Sequence, residues 1–201
     1  MNVPQDEARR ALFLKAFWMP SVQTMVSRKS SITNAFVNAV IPTVVPTAEE
    51  IEQALTILDL DPLDLRCAYC GDPATEWDHL RPLVVKHRPT GFISEIANLV
   101  PCCGKCNQSK VNKFWRTWLL GKAPRSPSGR GVADVAQRVE RLEAYERWRA
   151  PTQLDFAKII GQDEWDQYWA MWEAVNGQLK ECQRVADGLK GTIMARMSRG
   201  E

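Results

Sequence analysis

Apolar residues recur at helical steps along most of this chain, and its middle is the exception. Ile51, Ala54, Leu55 and Leu58 form a stripe at three- and four-residue spacing, the period of an amphipathic helix. Thr47-Ala-Glu-Glu50, just before it, has capping-box spacing, and Pro42 and Pro46 bracket the turn leading in. Further helices are predicted from Asp6 to Phe17 and near Ser31 to Val40. Toward the carboxyl end, Val132, Val135, Val139, Leu142 and Tyr145 mark one helix, and Thr152-Gln-Leu-Asp155 resembles another cap. From Trp165 the positions Trp165, Tyr168, Trp172, Val175, Leu179, Cys182, Ala186, Leu189 and Ile193 follow nearly a heptad seam. Few complementary charges flank that seam. It is therefore expected to pack on the body or against a second subunit rather than stand as a free coiled coil.

The segment from 65 to 120 breaks this periodicity with paired cysteines, short turns and a Pro/Gly-containing loop. Residues 121–131, GKAPRSPSGRG, read as a basic loop or linker. The expected organisation is a helical region 1–64, a distinct core 65–120, the loop 121–131 and a helical region 132–201.

The core carries the chemistry. Cys67-Ala-Tyr-Cys70 and Cys103-Gly-Lys-Cys106 are two Cys-x-x-Cys pairs, and two such knuckles can close one tetrahedral structural zinc site. Cys102 creates a register ambiguity, but only Cys103 gives the two-residue spacing to Cys106. Cys102 and Cys182 are expected to be ordinary buried or partly buried thiols. Asp78-His79 lies between the pairs, Asn98 before the second pair and Asn107 directly after it. These are groups that can bind a hard divalent ion and activate water. The chain has two histidines, His79 and His87, and an imidazole is the usual proton acceptor near neutral pH. On a strand, neighbours point to opposite faces, so Asp78 and His79 can share a site only where the backbone turns or the strand ends. His87 is expected to be a loop residue.

Charge sharpens this picture. The net charge is +2, yet residues 67–131 hold ten Lys/Arg against four Asp/Glu, while both flanking regions are net −2. A basic centre suits a phosphate backbone. Arg81, Lys86 and Arg88 in the loop after the Asp-His pair are candidate DNA contacts. So are Lys110, Lys113 and Arg116 on an expected helix after Cys106, and Lys122, Arg125 and Arg130 in the loop 121–131. Trp115 and Trp118 fit base stacking and core equally well. The charged start, Met1-Asn-Val-Pro-Gln-Asp-Glu, lacks the apolar run of a secretory leader. No apolar run approaches the roughly 20 residues of a membrane span, so a cytoplasmic protein without membrane association is expected.

From Cys67 to Lys113 the order Cys-x-x-Cys, Asp-His, Asn-Leu, Cys-x-x-Cys-Asn with a trailing Lys resembles the HNH, or ββα-metal, endonuclease superfamily in its four-cysteine zinc form. The flanking helices are similar in size to those of small bacterial HNH restriction-type nucleases. The resemblance implies an α+β, mostly helical fold, with a zinc-stabilised ββα core flanked by amino- and carboxyl-terminal helices. It implies one structural Zn²⁺ on Cys67, Cys70, Cys103 and Cys106, and one Mg²⁺ or Mn²⁺ on Asp78 and Asn107. His79 would be the general base, and Asn98 would orient it. The implied activity is cleavage of double-stranded DNA to 5′-phosphate and 3′-hydroxyl ends, with restriction as the leading setting. A homodimer would suit a palindromic site. Junction-resolving, homing and toxin nucleases use the same site, and a non-catalytic zinc-dependent DNA-binding module is the alternative from another class. The final Asn107 stands where the name-giving pattern has histidine; it supplies a neutral oxygen suited to a hard ion.

Overall fold

A computed structural model describes residues 3–16 and 21–200. The chain divides into two compact units, one made of residues 1–28 and 176–201 and the other of Lys29–Val175. In the first unit, helix α1 runs from Val3 to Ala16; Phe17, the expected end of this helix, lies outside the described residues. In the same unit, the Met25 amide donates to Gln183 Oε1 at 2.7 Å.

The second unit holds every candidate site residue. It opens with α2, Lys29–Val40, and α3, Ala48–Leu58. The capping box that starts α3 is complete, with Thr47 accepting from the Glu50 amide and Glu50 accepting from the Thr47 amide. A central strand, β1 (Glu76–His79), is followed by a two-stranded hairpin, β2 (Val84–Val85) and β3 (Arg88–Pro89). Strand β4, Leu99–Cys102, then pairs antiparallel with β1, with His79 opposite Leu99 and Glu76 opposite Cys102. Helix α4, Gly104–Lys110, packs on that pair. This is the expected ββα arrangement within an α+β, mostly helical unit.

Helix α4 is shorter than the sequence suggests. Val111 adopts φ 52°, a costly conformation for a β-branched residue, and the helix stops there. A separate helix, α5 (Trp115–Leu119), follows. Lys110, Lys113 and Arg116 therefore do not share one helical face, which corrects that expectation. Trp115 and Trp118 are core residues: both are buried, and Trp118 packs edge-on against Tyr69.

The carboxyl-terminal part contains three helices where two are expected: α6 (Val135–Trp148), α7 (Phe156–Ile160) and α8 (Gln162–Met197). Asp155, rather than Thr152, caps α7 by accepting from the Lys158 amide. One apolar cluster joins α3, the zinc region, α5 and α6 through Leu58, Tyr69, Trp115, Leu119, Leu142 and Tyr145. A second joins α2, the β2–β3 hairpin and the start of α8 through Val37, Leu83, Trp169 and Trp172. Each fully buried large apolar side chain in these clusters contributes about 1.5–3 kcal/mol. The seam of α8 is buried only at its start, and Leu189 and Ile193 are exposed.

Candidate nuclease site

The four cysteines of the two knuckles converge. Their sulfurs all lie within 4.8 Å of one another, and Cys70 Sγ sits 3.6 Å from Cys103 Sγ. Tetrahedral Zn²⁺ with bonds of about 2.3 Å requires sulfurs about 3.8 Å apart, so the donor set and its spacing fit structural zinc. The first knuckle closes through the Gly71 amide on the Cys67 carbonyl at 2.9 Å. Gly71 has φ +80°, and a Cβ there would collide with the Arg138 guanidinium. The second knuckle is the start of α4, where the Cys106 and Asn107 amides both donate to the Cys103 carbonyl at 3.0 Å. Cys102 is buried on β4 and does not join the group.

A zinc ion on these four sulfurs would tie the first knuckle to the start of α4, which packs on β1. Glu76 and Asp78 share one face of β1, and His79 ends the strand, which resolves how the Asp-His pair can border one cavity. A groove of about 710 Å³ is lined by Asp78 and His79 together with residues of α2, the β2–β3 hairpin, Val111 and Asn112. Asp78 is 5% exposed. Its Oδ2 accepts from the Tyr69 hydroxyl at 2.6 Å and pairs with Lys110 Nζ at 3.0 Å. Burial raises the Asp78 pKa above the ordinary carboxylate value, opposed by Lys110 and Tyr69. Burial, with Lys110 adding to it, lowers His79 to about 4, so the imidazole is neutral at pH 7. Its Nε2 lies 2.9 Å from Ser94 Oγ; in the tautomer where Nε2–H donates to that hydroxyl, Nδ1 is the nitrogen that accepts a proton.

Asn98 is fully buried. Its side chain accepts from the Arg81 amide at 2.7 Å and donates to the carbonyls of Arg81 and Ile93, while its backbone carbonyl accepts from the Leu80 amide. It clamps the chain just after His79 rather than touching the ring, and Ser94 is the group that holds the ring. Asn107 Nδ2 donates to Glu76 Oε2 at 2.6 Å, which leaves its carbonyl oxygen as the ligand it can offer. Asp78, Asn107 and Glu76 each offer oxygen donors of the kind a hard divalent ion takes; Asp78 lines the groove, whereas Glu76 and Asn107 are joined to each other outside its lining. Ser94, Tyr69 and Glu76 are the residues that sequence reasoning missed. Glu76 alone carried a signal, its i, i+2 relation to Asp78 on one strand.

Two of the candidate DNA contacts have partners within the protein. Lys110 is 0% exposed and lies between Asp78 and the His79 carbonyl, to which it donates at 2.7 Å. Arg130 points at the zinc thiolates, donating to Cys106 Sγ at 3.2 Å; negative sulfur offsets the desolvation of its partly buried guanidinium. Arg81 stacks on Phe114 and pairs with Glu146, and Arg88 lies against Trp169 and Trp172. Lys86, Lys113, Arg116, Lys122 and Arg125 are exposed. His87 packs on Trp172 and Thr33 at the edge of the groove.

Residues 67–113 match the HNH endonuclease family, over the segment that builds both sites. Over 98 residues the chain is 34% identical to the CRISPR-associated endonuclease Cas9 of Corynebacterium diphtheriae. That alignment covers 47% of this chain and 8% of the relative, so the chain spans only a small part of that protein. No solved structure gives a significant match. Among the described residues, no helix is long and apolar enough to cross a membrane.

Proposed function

We propose that this chain is a metal-dependent DNA endonuclease whose chemistry is carried by His79. The observation that supports this most is the imidazole of His79 at the end of β1, held 2.9 Å from Ser94 Oγ and lining a groove together with Asp78. His79 Nδ1 takes a proton from water as the water oxygen bonds to the scissile phosphorus. The P–O3′ bond breaks, and O3′ leaves and is protonated, giving 5′-phosphate and 3′-hydroxyl ends. Asp78 and Asn107 would hold a divalent ion, with Glu76 beside them, and that ion would supply Lewis acidity at the phosphate oxygens. Asn98 keeps the 79–81 backbone in register. A restriction-type role is the proposed setting, and the 121–131 loop would contribute Lys122 and Arg125 to backbone contact.

The reading is tested with purified protein, Mg²⁺ or Mn²⁺, and methylated and unmethylated plasmid DNA, followed by mapping of the ends. Discrete fragments with 5′-phosphates support a restriction-type enzyme, and smears or nicks with the same ends support a nuclease of another setting. One feature favours a binding-only module, because Lys110 already neutralises Asp78. DNA binding without cleavage under every metal condition would support that module instead.

A further inference from the structure

The groove beside His79 has a second wall that the cleavage chemistry does not use. Ser30, Asn34 and Asn38 line it at four-residue steps on α2, and all three are exposed. An exposed helical face ordinarily carries charged pairs at such steps. Helix α2, KSSITNAFVNAV, has no acidic residue and no cation after Lys29. Asp78 is the one carboxylate among the groove's lining residues, and Lys86 and His87 of the hairpin turn line it as well. The wall is therefore open to a polyanion, yet its own groups are neutral amides and a hydroxyl.

That choice of side chain discriminates between parts of a nucleic acid. Phosphates are gripped mainly by cations, whereas asparagine matches the paired donor and acceptor on a base edge, adenine above all. The spacing is suitable as well. From Ser30 to Asn38 the helix rises about 12 Å at 1.5 Å per residue, which is the length of three to four nucleotides at about 3.4 Å each. The hairpin part of the lining is held by aromatic contacts. Lys86 and His87 form the two-residue turn of the hairpin, both at positive φ. His87 against Trp172 and Arg88 against Trp169 and Trp172 hold that turn in place.

We infer that Asn34 and Asn38 read base edges of the DNA strand adjoining the scissile phosphate, and so determine where the enzyme cuts. This rests on the nuclease reading for the identity of the bound polymer. The test uses full-length His79→Ala protein, which keeps the DNA intact, and selection from a duplex library with a randomised centre. Asn34→Ala and Asn38→Ala are added to it singly, with Ser31→Ala, exposed on the same helix but outside the groove, as control. Zinc content and circular dichroism confirm that each variant is folded.

The expected result is that the parent selects a motif. Each asparagine variant then loses preference at one or two adjacent positions and binds the selected duplex about 5- to 150-fold more weakly. Ser31→Ala should match the parent. Unchanged preference and affinity would overturn the inference, as would uniform weakening with the preference intact, or a parent that selects no motif. Plasmid cleavage by the His79-intact protein is scored separately. Cutting with an unchanged preference sinks only this inference; amide-dependent selection without cutting sinks only the nuclease reading.

Discussion

Replacing Lys110 with methionine preserves a long apolar stem in a fully buried position and deletes its ammonium. The lost group makes a 3.0 Å ion pair with Asp78 and a 2.7 Å hydrogen bond to the His79 carbonyl. Removing one partner of a buried pair costs about 3–5 kcal/mol, because the other charge is stranded. Asp78 keeps the Tyr69 hydroxyl and borders the groove, where it can meet water or take up a proton. The loss should therefore fall at the low end, about 3 kcal/mol. With a urea dependence of about 2–3 kcal/mol per M, the unfolding midpoint should drop by about 1–1.5 M. Adding Asp78→Asn removes the stranded charge, so the double variant should recover much of the loss. A single variant that loses under about 1 kcal/mol, or a double variant no better than the single, would refute the reasoning. An unchanged midpoint with weakened DNA binding would reinstate Lys110 as a phosphate contact.

Three other outcomes follow from the same geometry. Cys103→Ser should lose the zinc while Cys102→Ser keeps one zinc per chain, as measured by elemental analysis of the purified proteins. Arg130→Gln removes a donor to Cys106 Sγ, so a competing chelator should extract zinc faster than from the unaltered protein, with the same final stoichiometry. Asn98→Ala deletes three side-chain hydrogen bonds in a fully buried position and should cost about 3 kcal/mol in urea unfolding. Asn98→Asp should recover only part of this, since a carboxylate cannot donate to the Arg81 and Ile93 carbonyls.

The ligand set of the zinc site was legible because thiolate coordination is local chemistry, in which spacing alone separates Cys103 from Cys102. The capping box at Thr47 was legible for the same reason, as donor and acceptor lie within one turn. The burial of Lys110 was not legible, because a trailing cation after a metal motif looks solvated in sequence. Only the pairing of β1 with α4 reveals that it fills the space beneath Asp78. The helix expected through Arg116 fails at Val111, whose positive φ has no signature in a valine. Ser94 could not be found from sequence. It reaches His79 because its own backbone pairs with Pro42 and Val44, residues about fifty positions away. The amide stripe on α2 was equally hidden, since Asn34 and Asn38 acquire meaning only from the groove they border.

Cleavage of supercoiled plasmid by the unaltered protein and by His79→Ala, matched for zinc content and DNA affinity, tests the central claim most directly. The account predicts that the variant binds normally and cuts at least about 100-fold more slowly, the scale of a lost general base. Equal rates, with DNA and metal bound to both, would mean that His79 does not carry the reaction.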